Sequence, residues 1–143
     1  MSRPEPDLAA VRAGWESQRC GYSLTLGITL DTLQPGRATM RMPVTQAIMN
    51  EVNAVHGGAI ASLCDTAFHL AHLSLYGLDE PAVTVDLMCT FLNAAYPPHD
   101  LIAHSKIIKG GKRIIYGEVS VYSNDRIVAH ATLNFMNLNA DRR

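Results

Sequence analysis

The stretch that most constrains this chain runs from His56 to Tyr76. It opens His56-Gly57-Gly58 and then carries no Gly or Pro until Gly77. Small or apolar residues fall on almost every side of it, which is the profile of a buried helix, because a surface helix keeps one polar face. Asp65 sits in its middle. A bare carboxylate is costly to bury, so Asp65 needs a partner or a cavity. The two glycines expose backbone N–H groups at the helix start, where partial positive charge favours an oxyanion. One helix therefore offers an anion-stabilising end and, two turns later, an isolated acid.

A helix that is apolar all round must be wrapped, and the flanking sequence supplies strands. Residues 1–7 read as a frayed, Pro-containing arm. Leu8 to Arg19 has helical spacing through Leu8, Val11 and Trp15, and Gly21 breaks it. Tyr22 to Leu33 reads as a strand. Gln34-Pro35-Gly36 turns it into a second, half-buried strand from Arg37 to Val44, with Ala38, Met40 and Met42 on one side and Thr39 and Arg41 on the other. Thr45 to Val55 is a connector carrying Asn50 and Asn53.

Beyond the helix, Ala82 to Leu92 alternates. Val83, Val85, Leu87, Cys89 and Phe91 share one parity; Thr84, Asp86 and Thr90 share the other. Leu101 to Lys109, Arg113 to Tyr122 and Ile127 to Asn137 extend this into a four-strand meander, with tight turns at Gly110-Gly111 and Asn124-Asp125. The tail from Ala140 reads as loose. The class is α+β, a curled antiparallel sheet around one long central helix. One domain is expected over residues 1–143, with an arm and helix over 1–21 and the core over 22–137. One helix face stays uncovered, and Ala59, Ala61, Ser62 and Ala67 would suit close packing of a second protomer.

Composition excludes several classes. A net charge of −1 gives no global field for nucleic acid. No run is long and clean enough to span a membrane, and the polar start lacks a signal-peptide core. Three widely spaced cysteines argue against both a disulfide framework and a zinc site, and fit a reducing cytoplasm. No metal is expected.

The segment Asn50-x-x-Asn53-x-x-His56-Gly57-Gly58 with Asp65 nine residues after the His, followed by Val83-Thr84-Val85-Asp86, resembles the hotdog-fold acyl-CoA thioesterases of the phenylacetate-degradation type. The likeness covers roughly residues 22–137. It departs at Asn53, where that family usually has Gly; Asn tolerates positive φ better than other non-Gly residues. The resemblance implies a hotdog fold, a homodimer or homotetramer with two sites at a dimer interface, and hydrolysis of an acyl-CoA thioester. It makes Asp65 the general base or nucleophile, and the Gly57 amide and Asn50 the groups that polarise the thioester carbonyl. Thr84 would hold the attacking water. No cofactor is implied, since coenzyme A is part of the substrate.

Each residue has a plainer alternative. Asp65 could be structural, for example paired with His69 one turn on. Asn50 could be only a turn former, and Thr84 only a β-former. His56 invites a nucleophile–base reading, but Ser62 lies in the packed stretch, so His56 reads better as holding the loop. His69 and His72 read as core or interface residues. Lys109, Lys112 and Arg113 flank Gly110-Gly111 and could hold CoA phosphates, or be merely solvated. Two rival functions stand beside hydrolysis: a hotdog hydratase or dehydratase, and a non-catalytic binder of acyl-CoA or an aromatic ligand.

Overall fold

The computed structural model describes residues 3–142; Met1, Ser2 and Arg143, the ends of the expected loose arm and tail, lie outside the described residues. The first element, α1 (Leu8–Ser17), is capped by Asp7, whose carboxylate accepts from the backbone N–H groups of Ala9 and Ala10. Its buried side chains are Val11 and Trp15, and it lies against the first strand and the central helix. The arm is not frayed over its described part. Arg3 pairs with Glu80 at 3.5 Å and stacks over Tyr76, tying the arm to the end of the central helix.

Residues 22–33 are not one strand. Gly21–Leu26 forms a short helix, α2, which ends at Gly27 in the left-handed region, φ 70°. Only Thr29–Gln34 is strand, β1. The reason is local: Thr25 Oγ1 bonds back to the Gly21 carbonyl, and Gly27 supplies the positive φ that stops a helix. The remaining elements are β2 (Arg37–Met42), a 3-10 turn (Gln46–Ile48), α3 (Gly57–Tyr76), β3 (Ala82–Phe91), β4 (Leu101–Gly110), β5 (Ile114–Ser123) and β6 (Arg126–Asn137).

All six strands form one antiparallel sheet in the order β1-β2-β4-β5-β6-β3. This corrects the expected meander of the last four. β4, β5 and β6 are consecutive, but β3 pairs with β6 and β4 pairs with β2. The chain crosses the sheet between β3 and β4, and α3 lies on the concave side. At 20 residues α3 is about 30 Å long. Its buried side includes Leu63, Cys64, Ala67, Phe68, Leu70 and Ala71, and the Phe68 ring meets Phe135 of β6 edge-on at 4.7 Å.

The uncovered face of α3 differs from the expected one. Ala59 and Ala67 are buried, whereas Ala61, Ser62, Asp65, Thr66 and His69 are only half-buried. These five follow helical spacing, so they form one stripe beside β3. β3 itself is an edge strand ten residues long, with Val83, Val85, Met88 and Phe91 all exposed. At the other end of the chain the tail is held rather than loose: Ala140 is buried and Asp141 pairs with Arg113. Among the described residues no helix is long and apolar enough to cross a membrane.

Candidate functional site

The loop before α3 is built by Asn50. Its Oδ1 accepts from the backbone N–H groups of Val52, at 3.1 Å, and Ala54, at 3.0 Å. Asn53 takes φ 58°, the left-handed geometry anticipated for an Asn in a glycine position. With Oδ1 spent on the turn, the Nδ2 amide of Asn50 has no acceptor among the described residues. The turn reading and the donor reading are therefore compatible, because they use opposite ends of one side chain.

His56 is the N-cap of α3. Its Nδ1 accepts from the Gly58 N–H at 2.8 Å. That bond assigns the ring proton to Nε2 in the neutral tautomer. A Cβ on Gly58 would come 2.9 Å from Nδ1, so the second glycine lets the imidazole fold back over the helix end. The His56 carbonyl takes the N–H groups of Ala59 and Ile60. Of the first turn's amides, Gly57 N–H alone has no acceptor among the described residues, and it is the one named from the sequence. His56 is placed to hold the loop, and Ser62 is not its partner: Ser62 Oγ donates to the Gly58 carbonyl and bonds to the Tyr22 hydroxyl at 2.6 Å.

Asp65 lies half-buried in the polar stripe of α3 and accepts a 2.6 Å hydrogen bond from Thr84 Oγ1 on β3. The structural alternative, a pair with His69, is not formed. Thr84 reaches Asp65 because β3 contains a bulge. Thr84 pairs with Phe135 and Asp86 with Asn134, leaving Val85 as the extra residue. The bulge turns Thr84 to the side occupied by Leu87 and Cys89, facing α3. Asp86 stays on the outside, bonded to Asn134 Nδ2 at 3.0 Å. The parity read from the sequence, which put Thr84 with Asp86 and Val83 with Leu87, slips at that bulge: Thr84, opposite Phe135, joins the Leu87 side, and Val83, opposite Met136, joins the Asp86 side.

The structure thus separates the named residues into two groups on one protomer. Asn50 and Gly57 line an open cleft of about 350 Å³ together with Val52, Ile60, Phe91 and Tyr96. Asp65 and Thr84 form the other half. Eight residues of helix, roughly 12 Å, separate Gly57 from Asp65. Phe91 was legible only as one of β3's apolar residues; nothing local in the sequence pairs position 91 with position 57. Yet a Cβ on Gly57 would meet the Phe91 ring at 3.2 Å.

The basic turn stands apart from both halves. The Tyr76 hydroxyl donates to the Gly111 carbonyl at 2.8 Å, which fixes Lys109, Lys112 and Arg113 at the far end of α3. Arg113 is paired with Asp141. No group of three or more His, Cys, Asp or Glu side chains among the described residues could hold a metal.

Two buried groups are shifted strongly. Burial, opposed in part by the hydrogen bond that His72 Nε2 donates to Asn137 Oδ1, pushes His72 down to about 4. The neighbouring Cys89 thiol, then burial, raises Cys64 far above the ordinary thiol range.

Comparison with known proteins bears on the family and the fold. The thioesterase superfamily profile matches residues 53–130, and a domain of unknown function matches residues 14–75. The acyl-coenzyme A thioesterase PaaI of Escherichia coli K12 is 31% identical over 103 residues, covering 71% of this chain and 69% of that protein. Human acyl-coenzyme A thioesterase 13 is 29% identical over 94 residues, covering 66% of each chain. The chain thus spans about two thirds of the length of these curated relatives. Among solved structures, a thioesterase family protein from Silicibacter pomeroyi superposes with a TM-score of 0.84 at 27% identity, covering 92% of this chain and 98% of that one. The helix wrapped by a six-stranded antiparallel sheet is the hotdog fold.

Proposed function

Since the chain belongs to the thioesterase superfamily, we propose that it hydrolyses an acyl-CoA thioester to a carboxylic acid and free coenzyme A. The observation that carries this reading is the pair of half-sites. Gly57 N–H and Asn50 Nδ2 are two unpaired donors on one cleft, suited to the oxygen of a thioester carbonyl as it gains charge. Asp65 is a carboxylate with one oxygen anchored by Thr84 and a half-open face. Acting as base, it takes a proton from water, and the hydroxide attacks the carbonyl carbon. The tetrahedral intermediate collapses, the C–S bond breaks, and the proton passes to the leaving thiolate. Acting as nucleophile, the same carboxylate attacks the carbonyl carbon and the C–S bond breaks, expelling the CoA thiolate; water then opens the mixed anhydride, freeing the product acid and the Asp65 carboxylate and supplying the proton that the thiolate takes. Thr84 Oγ1 spends its hydrogen on Asp65 and keeps lone pairs that can accept from the attacking water.

A single protomer does not bring these halves together, because attacking group and oxyanion donors must share one carbonyl within about 3 Å. β3 supplies the solution. Thr84, joined to Asp65, is near its start, and Phe91, against Gly57, is its last residue. Antiparallel pairing of this edge strand with its copy across a two-fold axis sets the Thr84 end of one beside the Phe91 end of the other. Asp65 then faces the partner's cleft, and symmetry makes two such sites. The same pairing covers an exposed apolar edge that a monomer would leave as a liability.

The basic turn Lys109, Lys112 and Arg113 lies nearer to Asp65 than to Gly57 along α3: eleven residues of helix, roughly 16 Å, from Asp65 to Tyr76. A phosphate grip there would place the nucleotide beyond the Asp65 half, with the pantetheine arm spanning the gap. Three free thiols fit a reducing compartment such as the cytoplasm. The test is a panel of acyl-CoA and acyl-pantetheine thioesters with a free-thiol readout. Hydrolysis of at least one acyl-CoA is expected. Neutralising Lys109, Lys112 and Arg113 should then raise KM for CoA thioesters and leave pantetheine thioesters unchanged. Tight acyl-CoA binding without thiol release would instead make the protein a binder.

A further inference from the structure

We propose that Phe91 is the specificity-determining residue of the site and that the cleft it closes takes uncharged, apolar acyl groups, selected by length. The proposal rests on the thioesterase reading and adds to it the nature of the acyl group. Phe91 is the last residue of β3, and its ring is half-exposed, at 52%. It packs on Gly57, where an added Cβ would stand 3.2 Å from Cζ and 3.4 Å from Cε1. The ring therefore leans on the one residue of the first helical turn whose amide is free. An acyl group whose carbonyl oxygen is held by Gly57 N–H and Asn50 Nδ2 has its α-carbon within a few ångströms of this ring.

The chemistry of the cleft limits which groups can lie beyond that carbon. Within one protomer its wall is Val52, Val55, Ile60, Leu92 and Tyr96 besides Phe91, with Asn50 and Asn93 as polar side chains and no Asp, Glu, Lys, Arg or His among the described lining residues; the group that a second copy would bring, Asp65, is itself negative. A second carboxylate, as in a dicarboxylic acyl group, would meet no cation among the lining residues, so whatever water it loses in the cleft would go uncompensated. Apolar chains gain from the same wall by leaving water. The cleft is about 350 Å³, and the room beside the donors is bounded by the side chain that packs on Gly57. That group is the Phe91 ring.

The experiment compares wild type with Phe91→Ala and Phe91→Trp, each against straight-chain acyl-CoAs from C4 to C16 and against succinyl-CoA. Two measurements are made: kcat/KM, and affinity for the matching non-hydrolysable S-alkyl thioethers of CoA. Phe91→Ala should shift the optimum to longer chains and Phe91→Trp to shorter ones. Each shift should be on the order of tenfold in the long-to-short ratio, the scale of a few methylenes in an apolar pocket. A merely structural ring would lower every substrate alike, with no opposite shifts. Unchanged length profiles in both measurements, or succinyl-CoA turned over as fast as the best apolar substrate, would overturn the proposal. If Phe91→Ala does not fold, Phe91→Trp decides by its own shift. Should wild type release no thiol from any acyl-CoA, the hydrolase reading fails separately, and the thioether affinities still judge Phe91.

Discussion

Single residues decide this site by what they leave free as much as by what they bond. His56 consumes the Gly58 amide and spares that of Gly57; Asn50 consumes its oxygen and spares its nitrogen. His72 shows the cost side. It is fully buried, its Nε2 bonds with Asn137 Oδ1 at 2.9 Å, and its Nδ1 has no partner. Burial holds its ring neutral down to about pH 4. In the unfolded chain the same ring takes a proton near pH 6.5. Between those values the unfolded state binds more protons, so stability is complete above about pH 6.5 and falls as pH drops toward 4. Urea melts at a series of pH values should show this slope, and His72→Gln should flatten much of it. An unchanged slope in the variant would assign the pH dependence elsewhere.

At the scale of elements, β3 does the most. Its bulge at Val85 aims Thr84 at Asp65, its end carries Phe91 to Gly57, and its outer edge is unpaired among the described strands. Met88 lies near the middle of the strand and is 73% exposed. Met88→Lys should leave the protomer folded, because surface changes of this kind move stability by roughly 0.5 kcal/mol or less. It should nonetheless weaken the proposed dimer, since β3 pairing would put like charges together near the two-fold axis. Sedimentation velocity should show a shift toward monomer, with thiol release falling in step; a dimer of undiminished strength would argue against the β3 edge as the interface. Elements of this kind are only partly legible in the sequence. The helix is plain because a stretch from Ala59 to Tyr76 without Gly or Pro, apolar all round, admits little else. Residues 22–26 read as strand with their neighbours because Tyr22, Thr25 and Ile28 suit one, while the Gly27 stop that makes them helical acts through one backbone angle. The pairing of β3 with β6 is invisible, since it is set by packing around α3 and not by order along the chain.

The whole molecule carries the central claim. The residues named from the motif fall into two groups on one protomer, Asn50 and Gly57 on the cleft and Asp65 with Thr84 about 12 Å along the helix. The motif could name Asn50, Gly57, Asp65 and Thr84 because their types and spacing are local. It could not name Phe91, whose place against Gly57 depends on a strand brought back against the helix start. Nor could it show the bulge that turns Thr84 inward. The shared site is tested most directly by subunit complementation. Asp65→Asn disables one half, and Gly57→Pro removes the free amide of the other. Each variant alone should lose on the order of 10²-fold or more in hydrolysis. Gly57→Pro is first checked for a wild-type circular dichroism spectrum and dimer mass; Asn50→Ala replaces it if it fails. Mixed dimers, verified by differential tags, then contain one doubly damaged site and one intact site. Activity returning toward half the wild-type value on subunit exchange is the result this account predicts. Verified mixed dimers that stay as inactive as either parent would contradict it.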